Sequence, residues 1–242
     1  MNYTWNWSIL FQEPYRGWLL SGLQWTILVT LCAWSIALVL GTLIGVARTL
    51  PSRPARLFGA TYVELFRNIP VLVQLFLWFY VLPELVPDTW GRWLKRDLPM
   101  PEFWTSVVCL GFYAASRVAE QVRSGIETVP RGQLNAALAS GLTIAQAYRL
   151  VLLPICFRVI IPPLTSEFLS IIRTSSVALT IGLLELTAQS RQVENYTFQG
   201  FESFAAATVL YVAIALVATG AMGIVERRMK VAGFVARGSL AQ

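Results

Sequence analysis

Two arginines, Arg117 and Arg173, lie inside stretches that are otherwise apolar. A charged side chain within a membrane costs roughly 2.5 to 3.5 kcal/mol on insertion scales, so by default it marks a pathway or a paired partner. A guanidinium fork matches a carboxylate through two parallel hydrogen bonds. Two such forks therefore suit a solute that bears two carboxylates and one ammonium. Ser176 and Thr180 follow Arg173 at i+3 and i+7, so on a continuous helix their hydroxyls share its face. They can bind an ammonium or a carboxylate, or serve ordinary interhelical hydrogen bonding. Each arginine also has a plainer use to weigh. Arg117 stands three residues before Glu120, close enough for a local ion pair; Arg173 stands six after Glu167, a poor same-face spacing.

The residue inventory excludes much other chemistry. The 242 residues include no histidine, which removes the Ser-His triad and every zinc motif that needs one. No paired carboxylates of a catalytic kind occur in the apolar stretches, so no catalytic residue and no metal ligand is assigned. No G-x-x-x-x-G-K-[ST] is present, so the chain has no P-loop for ATP, needs no cofactor of its own and must draw energy from a partner. Cys32, Cys109 and Cys156 sit in apolar runs without paired spacing and read as packing residues.

The elements that must hold the arginines are helices in a bilayer. Hydrophobic residues make up 56% and charged residues 13%, against about 25% charged in a soluble domain. The chain reads as an all-α polytopic membrane protein, one domain over 1–242. Five apolar segments approach or exceed the roughly 20 residues that a bilayer requires: 19–47, 58–85, 104–122, 150–184 and 204–224. Trp5, Trp7 and Trp18 near the start suit a membrane interface, and the start lacks the basic residues of a signal peptide. Gly41 and Gly45 form a G-x-x-x-G that permits close helix packing. In the second segment Asn68 can cap a new helix ahead of Pro70, which places a break at 67–70. Pro162 and Pro163 imply a kink in the fourth, with freed carbonyls for neighbours or water to satisfy. Polar loops are expected at 83–103 and 185–203.

The stretch 135–154 reads as helical yet cannot span. Ala136, Ala137 and Ala139 favour a helix, Gly141 can leave it through a left-handed residue, and Thr143 can cap a second helix. With Gly132, Gln133 and Asn135 ahead, the pattern is G-Q-x-N-A-A-x-x-x-G, then nine residues, then V-x-L-P. This resembles the cytoplasmic E-A-A loop, here 130–150, of the membrane subunits of ATP-binding-cassette importers. Asn135 stands where that family has Glu and Val151 where it has Ile.

The resemblance covers nearly the whole chain. FRNIPVLVQL resembles an R-G-T-P-L-L-V-Q-L segment, RVAEQVRSGIETVPRGQ an A-E-x-V-R-x-G-I-x-x-V-P-x-G-Q segment, and the run from Ile161 to Thr187 a P-P-L-x-N…K-x-T-S-L segment of the polar amino acid permeases. Within them the wording is most similar to the glutamate and aspartate branch. The resemblance implies the type I importer permease fold, five transmembrane helices with a cytoplasmic coupling helix. It assigns Asn135, Ala136, Ala137 and Gly141 to ATPase coupling. It also implies alternating access without covalent chemistry, an ABC ATPase dimer that binds ATP, a second permease subunit, identical or homologous, and a periplasmic or extracellular solute-binding protein. Arg173 stands where the family has Lys, and Arg117 where many members have an aromatic. Thr174 is neutral where some members are acidic, which points away from cationic cargo. The alternatives are another polar amino acid such as glutamine, or a carrier or channel without ATP; the latter lacks the inverted repeats expected of it.

Charge gives the orientation. With the coupling loop inside, Arg48, Arg53, Arg56, Arg123, Arg131, Arg149, Arg227, Arg228, Lys230 and Arg237 are cytoplasmic. Arg16, Arg92, Lys95, Arg96 and Arg191 are outside. This bias agrees with the positive-inside rule. A net charge of +6 thus records orientation in a bacterial cytoplasmic membrane and not an affinity for nucleic acid. The N-terminus is expected outside and the C-terminus in the cytoplasm.

Overall fold

The computed structural model describes residues 3–229; the counted charges Lys230 and Arg237 lie outside them. Helices are the only regular structure among the described residues. The long ones are α1 (Tyr15–Ala47), α2 (Arg53–Asn68), α6 (Pro101–Glu127), α9 (Leu153–Thr174) and α11 (Gly200–Met229). Shorter ones are α3 (Val71–Phe76), α4 (Leu82–Leu85), α5 (Asp88–Arg92), α7 (Arg131–Ala139), α8 (Ile144–Ala147) and α10 (Leu186–Thr197).

The core is the seam of α1, α6 and α9, filled by Val29, Ala33, Leu110, Val118, Val122, Cys156 and Ile160. Gly41 and Gly45 make that seam tight. A Cβ on Gly41 would lie 2.8 Å from the Ala115 carbonyl, and one on Gly45 2.8 Å from the Ala119 carbonyl, with Val118 and Val122 at 2.7 Å. The G-x-x-x-G thus serves packing of α1 on α6 within the chain. Gly45→Val is expected to cost about 1 to 3 kcal/mol by overpacking, read as a lower melting temperature of the detergent-purified complex. Cys109 and Cys156 are buried and unpaired, as their packing role requires.

By length and apolarity α1, the helical tract Ile144–Ile181 and α11 can each cross a membrane, and the bent pair Arg53–Asn68 with Val71–Leu85 makes a fourth. α6, with 27 residues, is about 40 Å long at 1.5 Å per residue. It occupies the middle of the bundle, where its Ser106 and Ser116 are fully buried among helices.

The second segment departs from the expected kinked span 58–85. Its two parts meet at 103°, because Ile69 and Pro70 are both extended, with ψ of 128° and 136°. Asn68 does not cap the new helix. Instead buried Gln74 reaches back, and its Nε2 donates to Phe66 O and Ile69 O, both at 2.8 Å. Arg53 and Arg56 belong to the start of α2 and not to a loop. At the other prolines α9 continues through Pro162 and Pro163 to Thr174, and Gln121 Nε2 donates to Pro163 O at 3.4 Å.

Both expected polar loops contain helices. α4, α5 and a π turn at Trp93–Asp97 fill the first. α10 fills the second and seats Leu186 and Val193 beside Leu19 of α1. Its N-terminus is fixed by Glu185, which is fully buried. That carboxylate accepts from Ala188 N at 2.8 Å, Thr187 N at 3.0 Å and the Tyr211 hydroxyl at 2.7 Å. Burial pushes the carboxyl above the usual range, and these donors pull it back. Glu185→Ala would strand three donors at about 1 to 3 kcal/mol each. Thermal unfolding is expected to show a loss of stability that Glu185→Gln, which keeps an acceptor, largely avoids. At the N-terminal end of α11, Glu202 accepts from Asn6 N at 2.7 Å and from the Tyr3 hydroxyl. Trp5, Trp7 and Phe201 pack beside this clasp, with both tryptophans at least half exposed.

Candidate functional site

Charged side chains from α2, α6 and α9 converge where α2 ends. Arg67, Arg117, Glu120, Gln121 and Glu167 line one cavity of about 320 Å³. The local pair of Arg117 with Glu120 that the spacing allows does not form. Glu120 accepts from Arg48 at the C-cap of α1, from Arg123 Nη2 at 2.5 Å and Nε at 3.1 Å, and lies 4.0 Å from Arg67 Nη1. Arg123 continues the chain to Glu127 at 2.6 Å. With Glu120 so occupied, Arg117 turns the other way. Its Nη2 donates to the Tyr113 hydroxyl at 2.6 Å, its guanidinium stands 5.0 Å over the Tyr113 ring, and its Nη1 is 3.6 Å from Glu167 Oε2.

A narrower crevice opens between α6 and α9 beside the same arginine, lined by Tyr113, Arg117, Glu167, Ser170, Ile171 and Thr174 among others. On α9 those positions are i, i+3, i+4 and i+7, one face of a helix. Arg173 falls off that row and lines neither space. It is exposed, and among the described residues its side chain has no ion pair and no hydrogen bond. The poor spacing from Glu167 thus does leave the two unpaired.

Ser176, at i+3, keeps the face of Arg173, but Thr180 does not, because α9 tightens into a 3-10 segment at Ser175–Ile181. At three residues per turn, positions four apart point about 120° apart. Both hydroxyls donate inward along the chain, Ser176 Oγ to Arg173 O at 2.8 Å and Thr180 Oγ1 to Val177 O at 2.7 Å. The sequence reading missed Arg67, Gln121, Glu167 and Ser170 as members of the cluster. Arg67 carried the same signal as Arg117, an arginine inside an apolar segment.

The second candidate surface is the loop between α6 and α9. α7 closes with a full Schellman motif: Gly141 N donates to Leu138 O at 3.0 Å and Leu142 N to Ala137 O at 3.2 Å, with Gly141 at φ +85°. Thr143 then starts α8 with a capping box, its Oγ1 accepting from Gln146 N while its own N–H donates to Gln146 Oε1 at 2.8 Å. Ala137 is buried, while Asn135, Ala136 and Gly141 are exposed. Leu138, Ile144 and Leu150 are exposed apolar residues of the same loop. The loop is tied to the bundle where the Tyr148 hydroxyl donates to Thr49 O at 3.0 Å, just past the end of α1.

Residues 37–231 match the family described as binding-protein-dependent transport system inner membrane component. The chain belongs to that family. The match runs from the second half of α1 past the end of α11 and so includes both surfaces. The chain is 46% identical over 241 residues to the glutamate/aspartate import permease protein GltJ of Escherichia coli K12, covering 96% of this chain and 98% of that one. It is 32% identical to the glutamate/aspartate import permease protein GltK of Escherichia coli O6:H1, covering 84% and 92%. The glutamine transport system permease protein GlnP of Escherichia coli K12 is 29% identical, covering 93% and 98%.

Among solved structures, an amino acid ABC transporter with histidines superposes with a TM-score of 0.75 at 28% identity, covering 94% of this chain and all of that one. The inward-facing MetNI methionine ABC transporter shares the fold, with a TM-score of 0.75 at 21% identity over 91% of this chain and all of that one. As a member of this family the chain is a multi-pass inner-membrane subunit of an ABC importer. It is not an enzyme; ATP hydrolysis belongs to a separate subunit.

Proposed function

We propose that this chain forms the translocation path of an ATP-driven importer for glutamate and aspartate, working by alternating access. The observation that carries the acidic cargo is Arg173, an exposed guanidinium at the end of α9 with no counter-ion among the described residues. Arg117 offers a second fork beside the cavity. Arg173 lies six residues beyond Glu167, roughly 9 Å along a helix, so the two arginines act at successive depths of one path. At the depth of Arg173 the hydroxyl oxygens of Ser176 and Thr180, their protons directed to the backbone, keep lone pairs free for the ammonium in passage. The likeness to GltJ supports the same cargo, since the glutamine permease GlnP is more distant.

α7, with Asn135, Ala136, Ala137 and Gly141, is the part that meets the ATPase dimer, whose subunits bind the ATP. A neutral Asn135 makes that contact through its amide. The likeness to GltK supports a homologous second permease in the same complex, and an external solute-binding protein delivers the cargo. The N-terminus is outside and the C-terminus cytoplasmic, in keeping with Arg227 and Arg228 in the last turn of α11.

The test is ATP-dependent uptake of labelled glutamate, aspartate, glutamine and arginine into vesicles holding this chain, the second permease, the ATPase and the solute-binding protein. Uptake of the acidic pair is expected. Uptake of glutamine or arginine in their place would overturn the cargo while keeping the family.

A further inference from the structure

The cavity between α2, α6 and α9 holds two acceptors that the protein leaves unused. Among the described residues Gln121 Oε1 is buried without a hydrogen-bond partner, its amide nitrogen being directed to Pro163 O. Glu167 is half-buried, and its one direct partner among the described residues is Arg117 Nη1 at 3.6 Å, longer than a hydrogen bond. Its carboxylate therefore has an ionic neighbour but no donor aligned on it. Both side chains line the same 320 Å³ space as the donors Arg67 and Arg117; Gln121 Oε1 has no open surface there and reaches a ligand once the amide turns from its long bond to Pro163 O. The space has room for many waters, and so for a small amino acid. Glu120 also lines it, but three arginines already surround that carboxylate.

We propose that Glu167 and Gln121 form an ammonium subsite, taking the α-ammonium of the transported amino acid while Arg117, released from Glu167, turns to its carboxylate. The empty path keeps Arg117 and Glu167 as each other's stand-in ligands. An arriving zwitterion exchanges one loose internal pair for two well-aligned external ones, and leaves by the reverse exchange. A ligand without an ammonium cannot complete the exchange, since it would strand the Glu167 carboxylate. The subsite therefore selects for amino acids over plain dicarboxylates. This rests on the reading that the cargo is an amino acid, and not on which one.

The test is direct binding of labelled glutamate to the detergent-purified complex of this chain, the second permease and the ATPase, competed by unlabelled glutamate or by glutarate, which lacks the ammonium. Without the solute-binding protein, the preference belongs to the membrane subunits. Glu167→Gln is expected to weaken glutamate at least about tenfold, the scale of one charged hydrogen bond. Glutarate should hold its affinity or gain, because Arg117 has lost its competitor. Gln121→Leu should act in the same direction to a smaller extent and remains informative if Glu167→Gln does not assemble. Equal weakening of both ligands, or unchanged glutamate binding in both variants, would overturn the subsite. If the wild-type complex binds glutamine or arginine in place of glutamate, the cargo assignment fails alone. The subsite is then tested with that amino acid against its own des-amino analogue.

Discussion

Gly141→Asp is expected to abolish ATP-driven uptake while the chain stays folded in the membrane. Gly141 occupies a left-handed backbone position, φ +85°, where a residue with a Cβ pays on the order of 1 kcal/mol and aspartate is among the more tolerant. A Cβ there meets nothing within 4 Å, so no core clash adds to that cost. The new carboxylate would instead project from a surface that carries exposed Leu138, Ile144 and Leu150. Burying an unpaired charge in a protein contact is expensive, so docking of the ATPase should fail first. The measurement is uptake in vesicles alongside the amount of chain that co-purifies with the ATPase. Normal uptake by the variant would sink the assignment of α7 to coupling.

Arg173→Ala is expected to lower glutamate uptake by about tenfold to a hundredfold, the scale of a charge-assisted hydrogen bond. The side chain has no internal partner among the described residues. Its removal should therefore cost little stability, within the range of an ordinary surface change. A lower rate with an unchanged melting temperature would place the loss on the solute. Arg173→Lys keeps the charge without the fork and should fall between. Unchanged transport kinetics in Arg173→Ala would reject a substrate role.

What could be read from the sequence was local, and what could not was set by distant neighbours. The left-handed Gly141, the Thr143 cap and the break before Pro70 each depend on a residue and the few beside it, so types and spacing were enough. The 103° at that break was not legible, because an angle between helices is decided by what they pack on. Arg117 shows the same limit. Glu120 was in reach along the helix, but Arg48 arrives from α1 and Arg67 from α2, and residues so far apart in sequence carry no mutual signal. The face shared by Arg173, Ser176 and Thr180 assumed an α-helical period that the 3-10 segment does not keep. α10 was hidden differently: Leu186, Gln189, Ser190 and Val193 form its buried stripe, and two polar members made a short helix look like a loop.

The glycines at 41 and 45 bear on how a push travels. Side chains between helices normally act as cushions that can change rotamer and absorb displacement, but here the α1 backbone rests on the Ala115 and Ala119 carbonyls and on the β-branched Val118 and Val122, which are stiff at χ1. α1 and α6 are therefore locked as a single girder, and Tyr148 bolts the loop between α6 and α9 to the end of that girder at Thr49. A push received at that loop would therefore enter α1 and α6 as one body.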